Sequence, residues 1–215
     1  MIGLVYKDFL VQRKTLWYYL VLTALYAVLA TSGGMGMGMG VLAAMTMLVG
    51  VLLPTSAFAY DEQAKWDGYA AALPGGRRDM VRGRYLFALT CVLSGGALTV
   101  TAMGVVSLLG LGEDVPGIVL AAVVCTGMAL LIDCVLLPLL FRFGAEKSRI
   151  IMMILFAVVF GAVALLGAVL SARTEIREPV GWLTAVLPVL AITLLVGAAS
   201  VSYRISLRIC MKKEY

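Results

Sequence analysis

The chain has 215 residues, 62% of them hydrophobic and 13% charged, with a formal net charge of +5 and a mean hydropathy of +1.03. A soluble fold needs roughly half its residues polar or charged to cover its surface, so the composition excludes one and marks an all-α integral membrane protein with a single transmembrane domain over 1–215. The absence of His and Asn further excludes histidine acid/base catalysis, HExxH zinc sites and N-glycosylation.

Residues 1–15 set apolar Ile2, Val5 and Phe9 against polar Lys7, Asp8, Gln12, Arg13 and Lys14 at near-helical spacing. That pattern predicts a short helix lying in the cytoplasmic interface. A signal peptide is the weaker reading, because no small-x-small cleavage site follows the apolar run.

A membrane-crossing helix needs about 20 apolar residues. On that scale six spans are expected, at about 16–32, 37–59, 85–111, 116–141, 150–171 and 183–203. The first opens on the interfacial aromatics Trp17, Tyr18 and Tyr19, and Pro54 should kink the second. Gly112, Glu113 and Asp114 form a tight turn between the third and fourth.

Charge sets the orientation. With both termini in the cytosol, only Arg173 and Arg177 among the basic residues fall outside. This satisfies the positive-inside rule and an even number of spans. The positive charge thus reports topology and gives no reason to expect nucleic-acid binding.

Between the first two spans, GGMGMGMG at Gly33–Gly40 reads as a flexible hairpin. Its thioethers at Met35, Met37 and Met39 are of the kind that select Cu(I), but no His or Cys accompanies them. The stretch also lacks the GxxxxGK[ST] pattern of a phosphate loop, which occurs nowhere in the chain. ATP, if it drives this protein, must be bound by another polypeptide. Cys91, Cys125, Cys134 and Cys210 have no CxxC spacing and read as membrane-embedded side chains or a reduced thiol, with no metal or disulfide role.

The longest polar interval is Tyr60–Tyr85, the 60–84 loop with the entry to the third span. Asp61–Ala72 starts with acids and has no proline, as a short helix leaving a span would. Leu73, Pro74, Gly75 and Gly76 then break it, and Arg77–Arg84 form a basic re-entry. Trp66 and Tyr69 share a helical face among charges, the composition of an interface anchor; a positive-inside loop without a partner is the simpler alternative.

Asp133 is the one acid inside an apolar run and a candidate intramembrane polar site, though a structural role suits it as well. Small residues at Ala157, Gly161, Ala164 and Ala168 form a ridge suited to close helix packing, within the protomer or across a dimer. The outer segment with Arg173, Glu175, Arg177 and Glu178, ending at Pro179 and Trp182, reads as a solvated surface helix or a gate.

KDF at Lys7–Phe9, the acids Asp61 and Glu62, Lys65 with Trp66, Leu73 with Pro74, Arg77, and Arg84 with Tyr85 together resemble the small six-span permeases of the ABC-2 exporter type. That family includes the subgroup that contains the permeases of phenol-soluble modulin exporters, to which the chain is similar. Gly75 and Gly76 depart from the pattern, standing where relatives often place a hydroxyl or apolar residue.

The resemblance implies a permease subunit in the bacterial inner (plasma) membrane, multi-pass, exporting amphipathic peptides, toxins or hydrophobic drugs. It implies no catalysis by this chain and no bound cofactor, with ATP and Mg on a cytosolic ABC ATPase present in two copies. A second permease would complete a twelve-span homodimer or related heterodimer. The coupling helix between spans two and three would seat in the ATPase through Asp61, Glu62, Lys65, Trp66, Asp67, Tyr69, Leu73, Pro74, Arg77 and Arg78. The alternative is an ATPase-independent carrier or scaffold using Asp133.

Overall fold

The computed structural model describes residues 2–32, 35–66, 68–69, 76–108, 115–172 and 181–212. All regular structure among them is helical: α1 Ile2–Val11, α2 Arg13–Ser32, α3 Met35–Gln63, α4 Gly76–Leu108, α5 Val115–Ala172 and α6 Gly181–Lys212. In α5 the helix is broken at Gly144, whose φ of 79° and ψ of 177° are not helical. That region of backbone space is essentially glycine's alone, and the break divides α5 into limbs 115–143 and 145–172.

Three stretches among the described residues are long and apolar enough to cross a membrane: Gly76–Ala102, Ala122–Ser148 and Ile192–Lys212. The distribution of polarity fits an apolar solvent. Leu93 and Val105 on α4, Leu120 and Val123 on α5, and Leu194 and Val201 on α6 face outward, while Asp8, Gln12, Asp61, Arg84 and Asp133 are buried.

α3 is the central element, packing on α2, α4 and α5, while α6 closes against α5 and α4 and α1 lies on α4. The main core joins Val51 and Phe58 of α3, Val81 and Val92 of α4, and Leu136 and Leu140 of α5. Phe58 and Phe141 meet edge to face at 4.9 Å. A second cluster around Leu53, Ala57, Phe87 and Cys91 receives Val5 and Phe9 from α1, with Phe9 edge-on to Phe87 at 5.0 Å. Gly96 allows α4 its approach to α5, since a Cβ there would lie 2.5 Å from Thr126 Oγ1.

Several sequence expectations change. The hairpin expected over Gly33–Gly40 is helix from Met35 onward; helix satisfies every backbone group internally, which outweighs the weak propensity of glycine in an apolar medium. The loop expected between 141 and 150 is helical apart from the break at Gly144. Arg77–Arg84, read as a re-entry segment, is the first part of α4. Pro54 sits within α3, which continues through it. The tight turn at Gly112–Asp114 and the Arg173–Pro179 segment lie outside the described residues.

Candidate functional site: a buried charge cluster beside the polar segment

α1 turns an unexpected face inward. Val5, Asp8, Phe9 and Gln12 follow the i, i+3, i+4, i+7 pattern of one helical stripe. Asp8 and Gln12 are buried and Val5 and Phe9 pack on the inner cluster, whereas Tyr6, Leu10 and Val11 are exposed. Apolar side chains thus stand on both faces of α1, and its acid and glutamine are on the inward one. Gln12 marks the joint between α1 and α2, and its amide donates to the Leu53 carbonyl at 2.8 Å.

Asp8 and its neighbour Lys7 meet α3 and α4 in a four-charge cluster. Lys7 Nζ donates to both oxygens of Asp61, at 2.7 and 2.9 Å, and lies 3.3 Å from Asp8. One arm of the Arg84 guanidinium donates to Asp8 at 2.8 Å. The other donates to Asp61 and to the Ala57 carbonyl at 3.4 Å. Aromatic faces complete the shell, with Lys7 Nζ 4.7 Å from the Trp66 ring centroid and the Arg84 guanidinium 4.7 Å from that of Phe58.

Two acids and two bases leave the cluster neutral, as burial requires. The Arg84, Asp8 and Asp61 side chains are 4%, 6% and 10% exposed, and an unpaired ion at such depth would cost several kcal/mol. Burial pushes the Asp8 carboxyl above its ordinary value of 3.8; Arg84 and then Lys7 pull it down, and Asp61 adds a smaller upward push.

Immediately past this cluster α3 ends. Ala64 N–H bonds to Tyr60 O at 3.0 Å and Lys65 N–H to Glu62 O at 3.1 Å, and Lys65 takes a left-handed φ of 49°, the conformation that closes many helices. Trp66 lies half-buried against the main core, its ring 6.4 Å from that of Tyr69, while Tyr69 is 71% exposed.

The proposed coupling residues therefore divide. Asp61 belongs to the buried cluster. Glu62 turns to α5, where Oε2 accepts the Ala145 backbone N–H at 2.7 Å. Arg77 donates to the Met211 carbonyl of α6 at 2.7 Å. Lys65, Tyr69 and Arg78 are exposed. Asp67, Leu73 and Pro74, with residues 70–72 at the end of the expected coupling helix, lie outside the described residues.

α4 is held to α6 through Tyr85, which the sequence singled out, and Ser202, Ser206 and Tyr203, which it did not. The Tyr85 hydroxyl lies 2.6 Å from Ser202 Oγ and 2.8 Å from Ser206 Oγ, and its ring stands edge-on to Tyr203 at 5.6 Å. Arg82 Nε donates to the Tyr203 hydroxyl at 3.2 Å. Serines in an apolar helix were the available signal, because a hydroxyl in lipid surroundings needs a partner.

Asp133 is 3% exposed, and neither carboxyl oxygen has a hydrogen-bond partner among the described residues. No group of three or more His, Cys, Asp or Glu side chains placed to hold a metal occurs among them. The four cysteines are free thiols.

Comparison with curated proteins and with solved structures gives no match. The sequence profile of a family described as ABC-2 family transporter protein matches residues 3–211, a span that takes in α1, the charge cluster and the end of α6. The chain therefore belongs to the ABC-2 transporter family, as a membrane-spanning permease component.

Proposed function

We propose that this chain is the permease subunit of an ATP-driven exporter, docking through the polar segment between α3 and α4 onto a separate cytosolic ABC ATPase. The observation that carries the reading is the Lys7–Asp8–Asp61–Arg84 cluster. It ties α1, the end of α3 and the start of α4 into one joint beside the segment on which an ATPase would push. Glu62 adds a direct tie to the second limb of α5. Force applied at residues 64–75 is thereby delivered to four helices together.

ATP can act on such a pathway only through contacts that differ between two states. The exposed Tyr69, Lys65 and Arg78 offer such contacts. In this reading the protein crosses the bacterial inner membrane six times with both termini in the cytosol. It pairs with a second permease, identical or related, and meets two ATPase copies that hold ATP and Mg. The cargo is an amphipathic peptide, toxin or hydrophobic drug, matched to helices whose outer and inner faces are both largely apolar.

The test is replacement of Trp66 and Asp67 by alanine, followed by co-purification with a candidate P-loop ATPase from the same organism and by an export assay. Loss of both is expected. Unchanged association and export sink the reading and favour the alternative, an ATPase-independent carrier or scaffold built on Asp133, whose carboxyl, unpartnered among the described residues, is the observation in its favour.

A further inference from the structure

A pocket of about 390 Å³ lies between α4, the first limb of α5 and α6. Its size is that of a small-molecule site. The wall is aliphatic over most of its extent, with Leu86, Leu89, Leu130, Leu137 and Leu195, and Asp133 belongs to it between Leu130 and Leu137 with its carboxyl oxygens covered. Chain order on α4 and α6 puts Arg82 and Tyr203 together at one end of the pocket, joined by their hydrogen bond, with Tyr85 next to them.

The contents of this wall are unbalanced. Asp133 is buried with both oxygens unpartnered among the described residues, in contrast to Asp8 and Asp61, each of which has its base. Buried intramembrane acids are retained at high cost and commonly mark substrate or ion pathways. The one basic side chain among the described residues of the wall, Arg82, is directed to Tyr203. The rings of Tyr85 and Tyr203 lie in the same wall, and such rings favour a cation over their faces. A carboxyl also turns readily about its terminal torsion, so its oxygens can swing toward an arriving charge.

We propose that this pocket binds an amphipathic molecule bearing a single protonated amine, with the ammonium group on Asp133 and the apolar body along Leu86, Leu89 and Leu195. Complementarity of charge selects the amine, and the aliphatic wall selects the chain attached to it. The binding claim stands without the exporter reading; only the further step, that such an amine is cargo, rests on it.

The probe is a long-chain alkylammonium carrying a photoreactive diazirine, applied to the full chain in lipid nanodiscs, with labelled residues mapped by mass spectrometry. Wild-type protein should label saturably on the pocket segments of α4, α5 and α6. Excess dodecylammonium should displace the label at least ten times more effectively than dodecanol. Asp133→Asn should abolish that preference for the amine while leaving labelling by the matching diazirine alcohol unchanged, which also reports that the variant is folded. Leu130→Trp, which fills the pocket without removing the carboxyl, should reduce labelling by both probes.

Equal displacement by amine and alcohol in the wild type overturns the proposal, as does pocket labelling that survives Leu130→Trp. These two arms decide the matter even if Asp133→Asn does not fold. The Trp66 and Asp67 double-alanine variant should keep wild-type labelling, so failure of ATPase docking and failure of this site are read separately.

Discussion

The Glu62 carboxylate accepts the backbone N–H of Ala145 at 2.7 Å, so a side chain from the end of α3 caps the second limb of α5. Helix N-termini carry unsatisfied N–H groups, and the cap here comes from another helix. Gly144 makes room for it, since a Cβ at that position would lie 2.7 Å from Glu62 Oε1. Removing the cap with Glu62→Ala should cost about 1 kcal/mol, the usual worth of an N-cap acceptor. Gly144→Ala should cost more, about 1–3 kcal/mol, because its φ of 79° strains any side chain. The two should be less than additive in thermal unfolding of the detergent-solubilised protein; full additivity would mean that Gly144 does not serve the cap.

Breaking the charge cluster on one side should be far worse than shrinking it evenly. Arg84→Met leaves two buried acids with Lys7 alone, and loss of one partner from a buried ion pair typically costs about 3–5 kcal/mol. The Arg84→Met/Asp8→Leu double variant retains the Lys7–Asp61 pair at 2.7 Å and removes one charge of each sign. It should recover much of the loss in melting temperature. A double variant as unstable as the single one would show that Arg84 acts through packing on Phe58 rather than through charge.

Asp8 gives the cluster a signed pH dependence. Its carboxyl is raised above 3.8 in the fold, so between 3.8 and the raised value the folded chain holds more protons than the unfolded one. By linkage, this group's contribution to stability is fully present below that window and is lost as pH rises through it. Melting temperatures of wild type and Asp8→Asn across the acidic range should therefore show the wild type losing ground as pH increases. A difference between the two that does not change with pH would contradict the assignment.

Lys65 adopts its left-handed φ of 49° at a helix end where glycine is the usual occupant. An L residue in that conformation costs about 1–2 kcal/mol. Lys65→Gly should therefore leave stability unchanged or improve it slightly, while Lys65→Val should lower the melting temperature. If Lys65→Gly also weakens ATPase association, the lysine charge is part of the docking surface.

The membrane class and the segments able to hold helices were legible because each rests on local composition: apolar runs, their lengths and the polar punctuation between them. The charge cluster was only half legible. Lys7, Asp61 and Arg84 each stood out, but Lys7 and Asp61 are 54 residues apart, and single-sequence periodicity contains nothing about such pairing. The pattern of α1 suggested an ordinary amphipathic helix, with its acid and glutamine toward water. The structure buries Asp8 and Gln12 because partners from α3 and α4 are there to receive them. The break at Gly144 was hidden for a similar reason: what defines it is a carboxylate arriving from α3, and the surrounding FRFGAEK reads as any short polar loop.

The cluster also imposes an order of assembly. Chains emerge from the amino terminus and fold as they do so, so Lys7 and Asp8 enter the membrane region first as a self-neutralised pair, 3.3 Å apart in the finished fold. When α3 follows, Asp61 must share that one lysine with Asp8, leaving an excess negative charge until α4 delivers Arg84. α4 thus completes the neutrality of the cluster that α1 and α3 begin, and a nascent chain stalled before residue 84 carries one acid there without its base.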